Sequence, residues 1–288
     1  MIVPKNRHLE VATAILGNKR HAKALLQSLE QRTLGSYQFY QESTHSSAAI
    51  LLVHNPGNTT TCIATPPSSE EEIGCTTNAI RIGMQSIQNE SNRIAQTIMD
   101  IDQPLLAMAY RGAGFIDLAR LTYMERATLK VTRGSESSAL TFSSIEEIGE
   151  EVLQNILQET YMHSLDCPNI HGKRRIEDII EGHRHQGDYT PSLWSIASHR
   201  DKPVGVVLLS PLKESACMEL SYLGVVPNER GKGFGGILLQ HAIAESKHFG
   251  LSRIVLAVDS TNEPAIQLYQ RWSFRTTRQR LSMIHTLC

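Results

Sequence analysis

Leu220-Ser221-Tyr222-Leu223-Gly224-Val225-Val226-Pro227-Asn228-Glu229-Arg230-Gly231-Lys232-Gly233-Phe234-Gly235-Gly236 is the stretch on which the reading of this 288-residue chain turns. An apolar run is stopped by Pro227, turned through a polar corner, and followed by four glycines in six positions before a helical pattern begins. The order is strand, loop, helix. Glycines have no Cβ, so they accept positive φ and let backbone N–H groups come close to a ligand. A helix beginning near Gly233 leaves its first N–H groups unpaired and turns its positive dipole end toward the loop, an arrangement that favours an anion such as a pyrophosphate. Arg230 and Lys232 add positive charge at the same corner.

Three phosphate loops compete for this text. The nucleoside-triphosphate loop needs Lys followed by Ser or Thr after its glycines, and no such pair is present. The dinucleotide fingerprint G-x-G-x-x-G is matched by Gly231, Gly233 and Gly236, with Asp259 about where a ribose-binding acid belongs. Against it, Pro227-Asn228-Glu229-Arg230 separates the strand from the first glycine, and only 29 residues follow Asp259, too few for the remaining strands of that fold.

The third loop fits best. Val226–Gly235, read as Val-Pro-x-x-Arg-Gly-x-Gly-x-Gly, resembles the acetyl-coenzyme A loop of the GCN5-related N-acetyltransferase (GNAT) superfamily, which has Arg or Gln, two variable residues, Gly, one variable residue, then Gly or Ala. Downstream, Asn262, Ala265, Leu268-Tyr269 and Phe274 are similar to the family's Asn-x-x-Ala-x-x-Leu-Tyr and Gly-Phe ending, with Ser273 in place of the glycine. The specific resemblance covers about Glu219–Phe274 and a looser one reaches back to Ser144.

Composition bounds the partners. A formal net charge of −1 gives no global basic footprint for nucleic acid or an anionic membrane, so small-molecule or peptide chemistry is expected. The five cysteines show no paired ligand spacing and read as reduced thiols. The first residues lack the apolar core of a signal peptide and no apolar run approaches a membrane span. The expectation is a cytoplasmic protein, monomer or homodimer, with no metal.

Along the chain, Asn18–Thr33 reads as an amphipathic helix. Ser47–His54 and Thr59–Ala64 read as a hairpin around Asn55-Pro56-Gly57-Asn58. A helix through Ile80, Met84 and Ile87, a strand over Arg93–Met99, a short helix over Pro104–Tyr110 and a long strand or bent pair over Phe115–Val131 follow. Gly134–Ser138 has linker composition. Ser144 and Glu147 form a capping box that leads a long amphipathic helix through Leu157, and a second helix spans about Ile176–His185. Strands follow over Leu193–Ser198, Pro203–Leu209 and Met218–Val226, then a helix over Gly235–Phe249, whose Leu238, Leu239, Ala242, Ile243 and Phe249 face the sheet, and a strand over Arg253–Val258.

The halves repeat. Pro104, Tyr110 and Phe115 can be laid beside Pro264, Tyr269 and Phe274 at a separation near 160, and Pro66 then falls close to Pro227. Where the second copy has Arg230-Gly231-Lys232-Gly233, the first has Ser69-Glu70-Glu71-Glu72, and carboxylates in a water-poor notch would repel a pyrophosphate. The expected fold is α+β, two tandem GNAT-like domains at 1–134 and 144–288, each a mostly antiparallel sheet flanked by helices. The first copy is expected to be degenerate, an arrangement resembling the tandem mycothiol synthase-like acetyltransferases.

The resemblance implies transfer of an acetyl group from acetyl-CoA to a small-molecule amine in a ternary complex. It implies that the backbone of Leu223, Gly224, Val225 and Val226 pairs with the pantetheine arm, that Arg230, Gly231, Lys232, Gly233, Phe234, Gly235 and Gly236 surround the pyrophosphate, and that Asn262 bonds the arm. Tyr269 sits where the family places the phenol that protonates the leaving thiolate. For the base, Glu219 is the carboxylate on a plausible face, and strict strand alternation puts it with Ser221 and Leu223 and opposite Leu220 and Tyr222. Two other classes stay open, a non-catalytic acyl-CoA sensor and a dinucleotide-binding oxidoreductase. His171, His183 and His185 lack metal-ligand spacing and read as a solvated helix end. Lys173-Arg174-Arg175 reads as wet surface and Cys217 as a small strand residue.

Overall fold

The computed structural model describes residues 1–31, 36–43, 47–88, 94–128, 139–212 and 215–286. Helix α1 (His8–Leu16), for which the sequence offers no expectation, ends at Gly17 with φ +64°. Asn18 then caps α2 (Lys19–Gln31), its Oδ1 accepting from the N–H groups of Arg20 and His21 at 2.8 and 3.1 Å. Strand β1 (Tyr37–Gln41) is followed by the expected hairpin of β2 (Ala49–Asn55) and β3 (Thr59–Ala64), turned by Gly57 and Asn58 at positive φ. Next come α3 (Ile73–Ile87), β4 (Ile94–Asp100), α4 (Pro104–Gly112) and β5 (Ile116–Ala127). The linker composition at 134–138 lies outside the described residues.

After β6 (Thr141–Ser144) the capping box forms, with Ser144 N–H donating to Glu147 Oε2 at 3.0 Å. It opens only the single turn α5 (Ile145–Ile148), because Gly149, at φ 90° and ψ 164°, breaks the helix before α6 (Glu150–Tyr161) starts afresh. The chain continues through α7 (Ile176–Arg184), β7 (Trp194–His199), β8 (Lys202–Leu212), β9 (Cys217–Val225), α8 (Phe234–His248), β10 (Arg253–Asp259), α9 (Glu263–Arg271) and β11 (Arg275–Thr286). Leu238, Leu239, Ala242 and Ile243 of α8 are buried as expected, but Phe249 lies past the helix end and is exposed. No helix among the described residues is long and apolar enough to cross a membrane.

Two compact units result, Met1–Ala119 with Arg280–Cys288, and Arg120–Gln279. In the first, the strand order is β1-β2-β3-β4-β11, antiparallel except for β3 and β4. Both faces of β2 are covered, Ile50 and Leu52 by the core under α3 and α4, Ala49, Leu51 and Val53 by the core under α1 and α2. In the second, the order is β5-β10-β9-β8-β7-β6, antiparallel except for β9 and β10, around one core that runs from Leu153 and Leu157 of α6 to Leu238 and Leu239 of α8. The units cross the 1–134 and 144–288 division. Residues 280–286 of the last strand pair with β4, while residues 121–127 of β5 pair along the whole of β10.

Candidate active site

The second unit's site begins where two parallel strands part. β10 pairs with β9 only at Met218 and Glu219, although β9 continues to Val225 and β10 to Asp259. Val226 N–H donates to Val204 O on the β8 side, so the alternation of an antiparallel ladder turns the N–H and C=O groups of Leu223 and Val225 away from β8, toward the gap that β10 leaves. An exposed strand edge of this kind accepts an extended ligand as a further strand.

The glycine loop stands at the end of that edge. Pro227–Glu229 makes one 3₁₀ turn, Gly231 and Gly233 adopt φ +78° and +86°, and α8 starts at Phe234 with no side-chain cap and no acidic residue in its first turn. Helix geometry leaves the leading N–H groups without carbonyl partners and the positive dipole end uncompensated. A Cβ on Gly231 or Gly233 would meet no atom within 4 Å, so these glycines serve backbone conformation and access rather than packing against the protein.

The two cations of the loop are bonded to other groups of the protein. The Arg230 guanidinium donates to Val225 O at 3.0 Å, Thr160 O at 2.8 Å, Met162 O at 2.9 Å and His163 O at 2.9 Å. Lys232 pairs with Glu229 at 2.9 Å. Both residues remain exposed to water, Arg230 with its guanidinium spent on carbonyls and Lys232 with its ammonium at the surface.

The face occupied by Glu219 differs from the strict alternation. The β8–β9 register shifts between Leu208 and Leu209, so that Leu208 opposes Tyr222 and Leu209 opposes Leu220, with Ser221 the inserted residue. Since Ser210 opposes Glu219 and shares a face with Leu208, Glu219 lies on the face of Tyr222, not of Leu223. Ser221 Oγ donates to Ser210 Oγ at 3.0 Å across the bulge. Burial holds the half-buried Glu219 carboxyl above the usual carboxylate range.

Tyr269, on α9, is 8% exposed and packs in the core beside Phe274. Its hydroxyl makes no hydrogen bond to another described residue. Burial, and then the charges of Asp166 and Tyr222, raise its ionisation well above that of a free phenol. Asp166, in the segment after α6, gave no sequence signal. Its Oδ1 accepts from Asp259 N–H at 2.8 Å and it is hydrogen-bonded to the Asn262 side chain, yet burial still pushes its carboxyl up.

Asp259 and Asn262 are likewise committed. Asp259 is buried, and its carboxylate accepts from Thr261 N–H and Oγ1, both at 2.9 Å, and from Cys167 N–H at 3.2 Å. A ribose-binding role, on which the oxidoreductase reading depends, would have to reach a buried carboxylate that already accepts three bonds from the protein. Asn262 Oδ1 caps α9 by accepting from Ala265 N–H at 3.3 Å.

Beside Tyr222, where the histidine spacing predicts a solvated helix end, lies a half-buried cluster. His183 is half-buried, with Nε2 at 3.4 Å from Tyr161 Oη and Nδ1 at 3.1 Å from Gln186 Oε1, and burial pushes its pKa down to about 4. Tyr161 and Tyr222 lie 4.9 Å apart between ring centroids, and Tyr222 Oη donates to Thr160 Oγ1 at 3.1 Å. Burial pushes Tyr222 up to about 12. The helical spacing that separates His183 from the exposed His185 could have shown that only one of them faces the sheet. Arg174 is half-buried too, donating to Asp178 O at 2.8 Å, whereas Lys173 and Arg175 are exposed.

The first unit has the same parting. β3 and β4 pair only from Thr59–Thr61 to Ile94–Gln96, and Thr65 N–H donates to Ala49 O as Val226 N–H does to Val204 O. Cys62 and Ala64 therefore hold the places of Leu223 and Val225. Here the edge is taken, because the fully buried Tyr110 Oη donates to Cys62 O at 2.9 Å and accepts from Ala64 N–H at 3.0 Å. Glu70–Glu72 are exposed to water at the start of α3, not enclosed in a notch, so screening blunts their repulsion. Tyr110, rather than the carboxylates, fills the first unit's gap.

Comparison with known proteins agrees with this anatomy. Residues 153–274 match the acetyltransferase (GNAT) family. An uncharacterized N-acetyltransferase of Schizosaccharomyces pombe is 35% identical over 74 residues, which is 26% of this chain and 45% of that protein. The peptidyl-lysine N-acetyltransferase YjaB of Escherichia coli is 31% identical over 85 residues, 30% of this chain and 50% of that protein. The chain thus spans half or less of the length of these curated relatives. Among solved structures, a GCN5-related N-acetyltransferase from Sphaerobacter thermophilus superposes over 98% of this chain and 91% of its own, with a TM-score of 0.65 at 15% identity. A tandem GNAT protein from the clavulanic acid biosynthesis pathway covers 100% of this chain and 98% of its own, with a TM-score of 0.58 at 10% identity.

Proposed function

We propose, from the match of residues 153–274 to the acetyltransferase (GNAT) family, that the second unit transfers an acetyl group from acetyl-CoA to the amine of a small molecule, by direct attack with both substrates bound. The observation that carries this reading is the edge of β9, open at Leu223 and at the Val225 N–H, which runs into the uncapped start of α8. An amide-bearing arm suits the first and a pyrophosphate the second. The first unit supports the fit, since Tyr110 shows that the corresponding N–H and C=O groups are satisfied by a polar partner.

Leu223, Gly224, Val225 and Val226 would hold the pantetheine arm by their backbone. Gly231, Lys232, Gly233, Phe234, Gly235 and Gly236 would hold the pyrophosphate, with the Lys232 ammonium as the nearby charge. When bound, acetyl-CoA supplies the activated acyl carbonyl. Glu219, its carboxyl raised by burial, accepts the proton that the acceptor ammonium must lose, directly or through water. Tyr269 Oη holds a proton at neutral pH and gives it to the departing sulfur. Asp166, on the same side, favours a cationic acceptor by its charge. The first unit is read as not taking the cofactor, its edge being closed by Tyr110.

Calorimetric titration with acetyl-CoA, followed by thiol-release assays over polyamines, amino sugars, amino acids and lysine peptides, tests the reading. Saturable binding at one site per chain, with turnover for a small amine, is expected. Tight binding without turnover of any amine would make the protein a sensor, and turnover of lysine peptides alone would move the acceptor from small molecule to protein. No binding would overturn the reading.

A further inference from the structure

The segment Met162–Cys167 is fastened at both ends to the two strands that part. On the β9 side, the Arg230 guanidinium uses four of its five N–H donors on backbone carbonyls, one of them Val225 at the end of β9 and three of them Thr160, Met162 and His163 at the end of α6. On the β10 side, Asp259 N–H donates to Asp166 Oδ1 at 2.8 Å and Asp259 Oδ2 accepts from Cys167 N–H at 3.2 Å. Between these anchors the backbone is held in costly shapes, with His163 at φ +54° and Cys167 at φ +47°. Such conformations persist where surrounding contacts over-determine them.

We infer that Met162–Cys167 is a strap spanning the parted strands, and that Arg230 is the latch that positions it, not a ligand of the pyrophosphate. A guanidinium suits this task, since its planar fork satisfies several carbonyls at once and its charge complements the negative end of α6. The strap carries Asp166 to the neighbourhood of Tyr269 and Tyr222, so the latch ties the loop proposed to hold the cofactor to the carboxylate proposed to face the acceptor. This rests on the proposed function for its meaning, though the strap and latch themselves are geometry.

Two variants separate latch from phosphate ligand. Arg230→Gln removes the charge, and Arg230→Lys keeps a charge that cannot reach four carbonyls. Hydrogen exchange of the ligand-free protein is measured first. Amides of Met162, Ser164 and Cys167, bonded to Glu159 O, Tyr161 O and Asp259 Oδ2, should exchange at least ~10-fold faster in both variants, while Leu153–Leu157 stays unchanged. Affinities for acetyl-CoA and for S-acetylpantetheine, which lacks the pyrophosphate, are then compared by calorimetry. A latch changes both by the same factor. Wild-type exchange in either variant overturns the inference, as does a loss of at least ~10-fold for acetyl-CoA that S-acetylpantetheine escapes. If the wild-type protein binds neither compound, the proposed function falls, and the exchange result still decides the latch.

Discussion

Tyr269 illustrates how one side chain can separate catalysis from binding. It is enclosed, it keeps its proton because burial and the Asp166 charge oppose ionisation, and its hydroxyl is not spent on another described residue. Tyr269→Phe removes one proton donor and almost no volume. Acetyl-CoA affinity should hold while kcat falls by roughly 10²–10⁴, the usual worth of positioned acid catalysis. Full kcat would make Tyr269 a packing residue. Two histidines set a second residue-scale expectation. His183 lies among tyrosines, and His241 stacks on Phe142 at 3.8 Å between centroids with Nε2 at 3.1 Å from Ser195 Oγ; burial pushes both down to about 4. An unfolded histidine titrates near ~6.5, so between there and about 4 the unfolded chain binds more protons than the folded one. Stability should therefore fall as pH drops through that window. Urea midpoints measured from pH 7 to 4 should show the slope, and His241→Gln should reduce it. A slope that survives both His183→Gln and His241→Gln would belong to other groups.

At the scale of the element, the contrast lies between two strand edges of the same design. β9 leaves Leu223 and the Val225 N–H open toward the gap, with Val225 O taken by Arg230, whereas β3 has Cys62 and Ala64 bridged by Tyr110. The loop that follows β9 is then decisive, because only it combines left-handed glycines with an uncapped helix start. Gly233→Val places a β-branched residue at φ +86°, where an L side chain costs roughly 1–2 kcal/mol. No protein atom stands within 4 Å of the new Cβ, so the fold should survive with a modest loss in Tm. The branched side chain instead occupies the approach to the N–H groups. Acetyl-CoA affinity should fall at least ~10-fold, about 1.4 kcal/mol, by calorimetry. Unchanged affinity would leave the loop a turn and nothing more.

For the whole molecule, the closing strands are exchanged between the two units. Arg280–Thr286 completes the sheet of the first unit against β4, and Leu121–Ala127 completes that of the second against β10. Each unit therefore depends on a piece of chain from the far half of the sequence. The two differ in whether that strand edge is bridged, and a ligand should report the consequence directly. With saturating acetyl-CoA, exchange should slow across Leu223–Gly236 and stay unchanged across Cys62–Gly74. Equal protection of both segments would mean that Tyr110 gives way and that the first unit binds too.

The sequence alone determined what depends on a few neighbouring residues. The glycine loop, the Asn18 and Ser144 caps, the hairpin at Asn55–Asn58, the repeat and the alternation of strands with helices are local, because φ preference, capping and apolar period act over a turn or two. Even there one glycine mattered, since Gly149 splits the helix that the capping box begins. The tertiary structure decided everything set by partners far along the chain. The bulge at Ser221 moved Glu219 to the face of Tyr222, His183 found two tyrosines, and Asp166 met Asp259 across 93 residues. Tyr110 closed one edge, Arg230 spent its guanidinium on four carbonyls, and the last strands changed places. None of these has a local signal, because a hydrogen bond between distant residues is fixed by the packing that brings them together and not by the preferences of either residue.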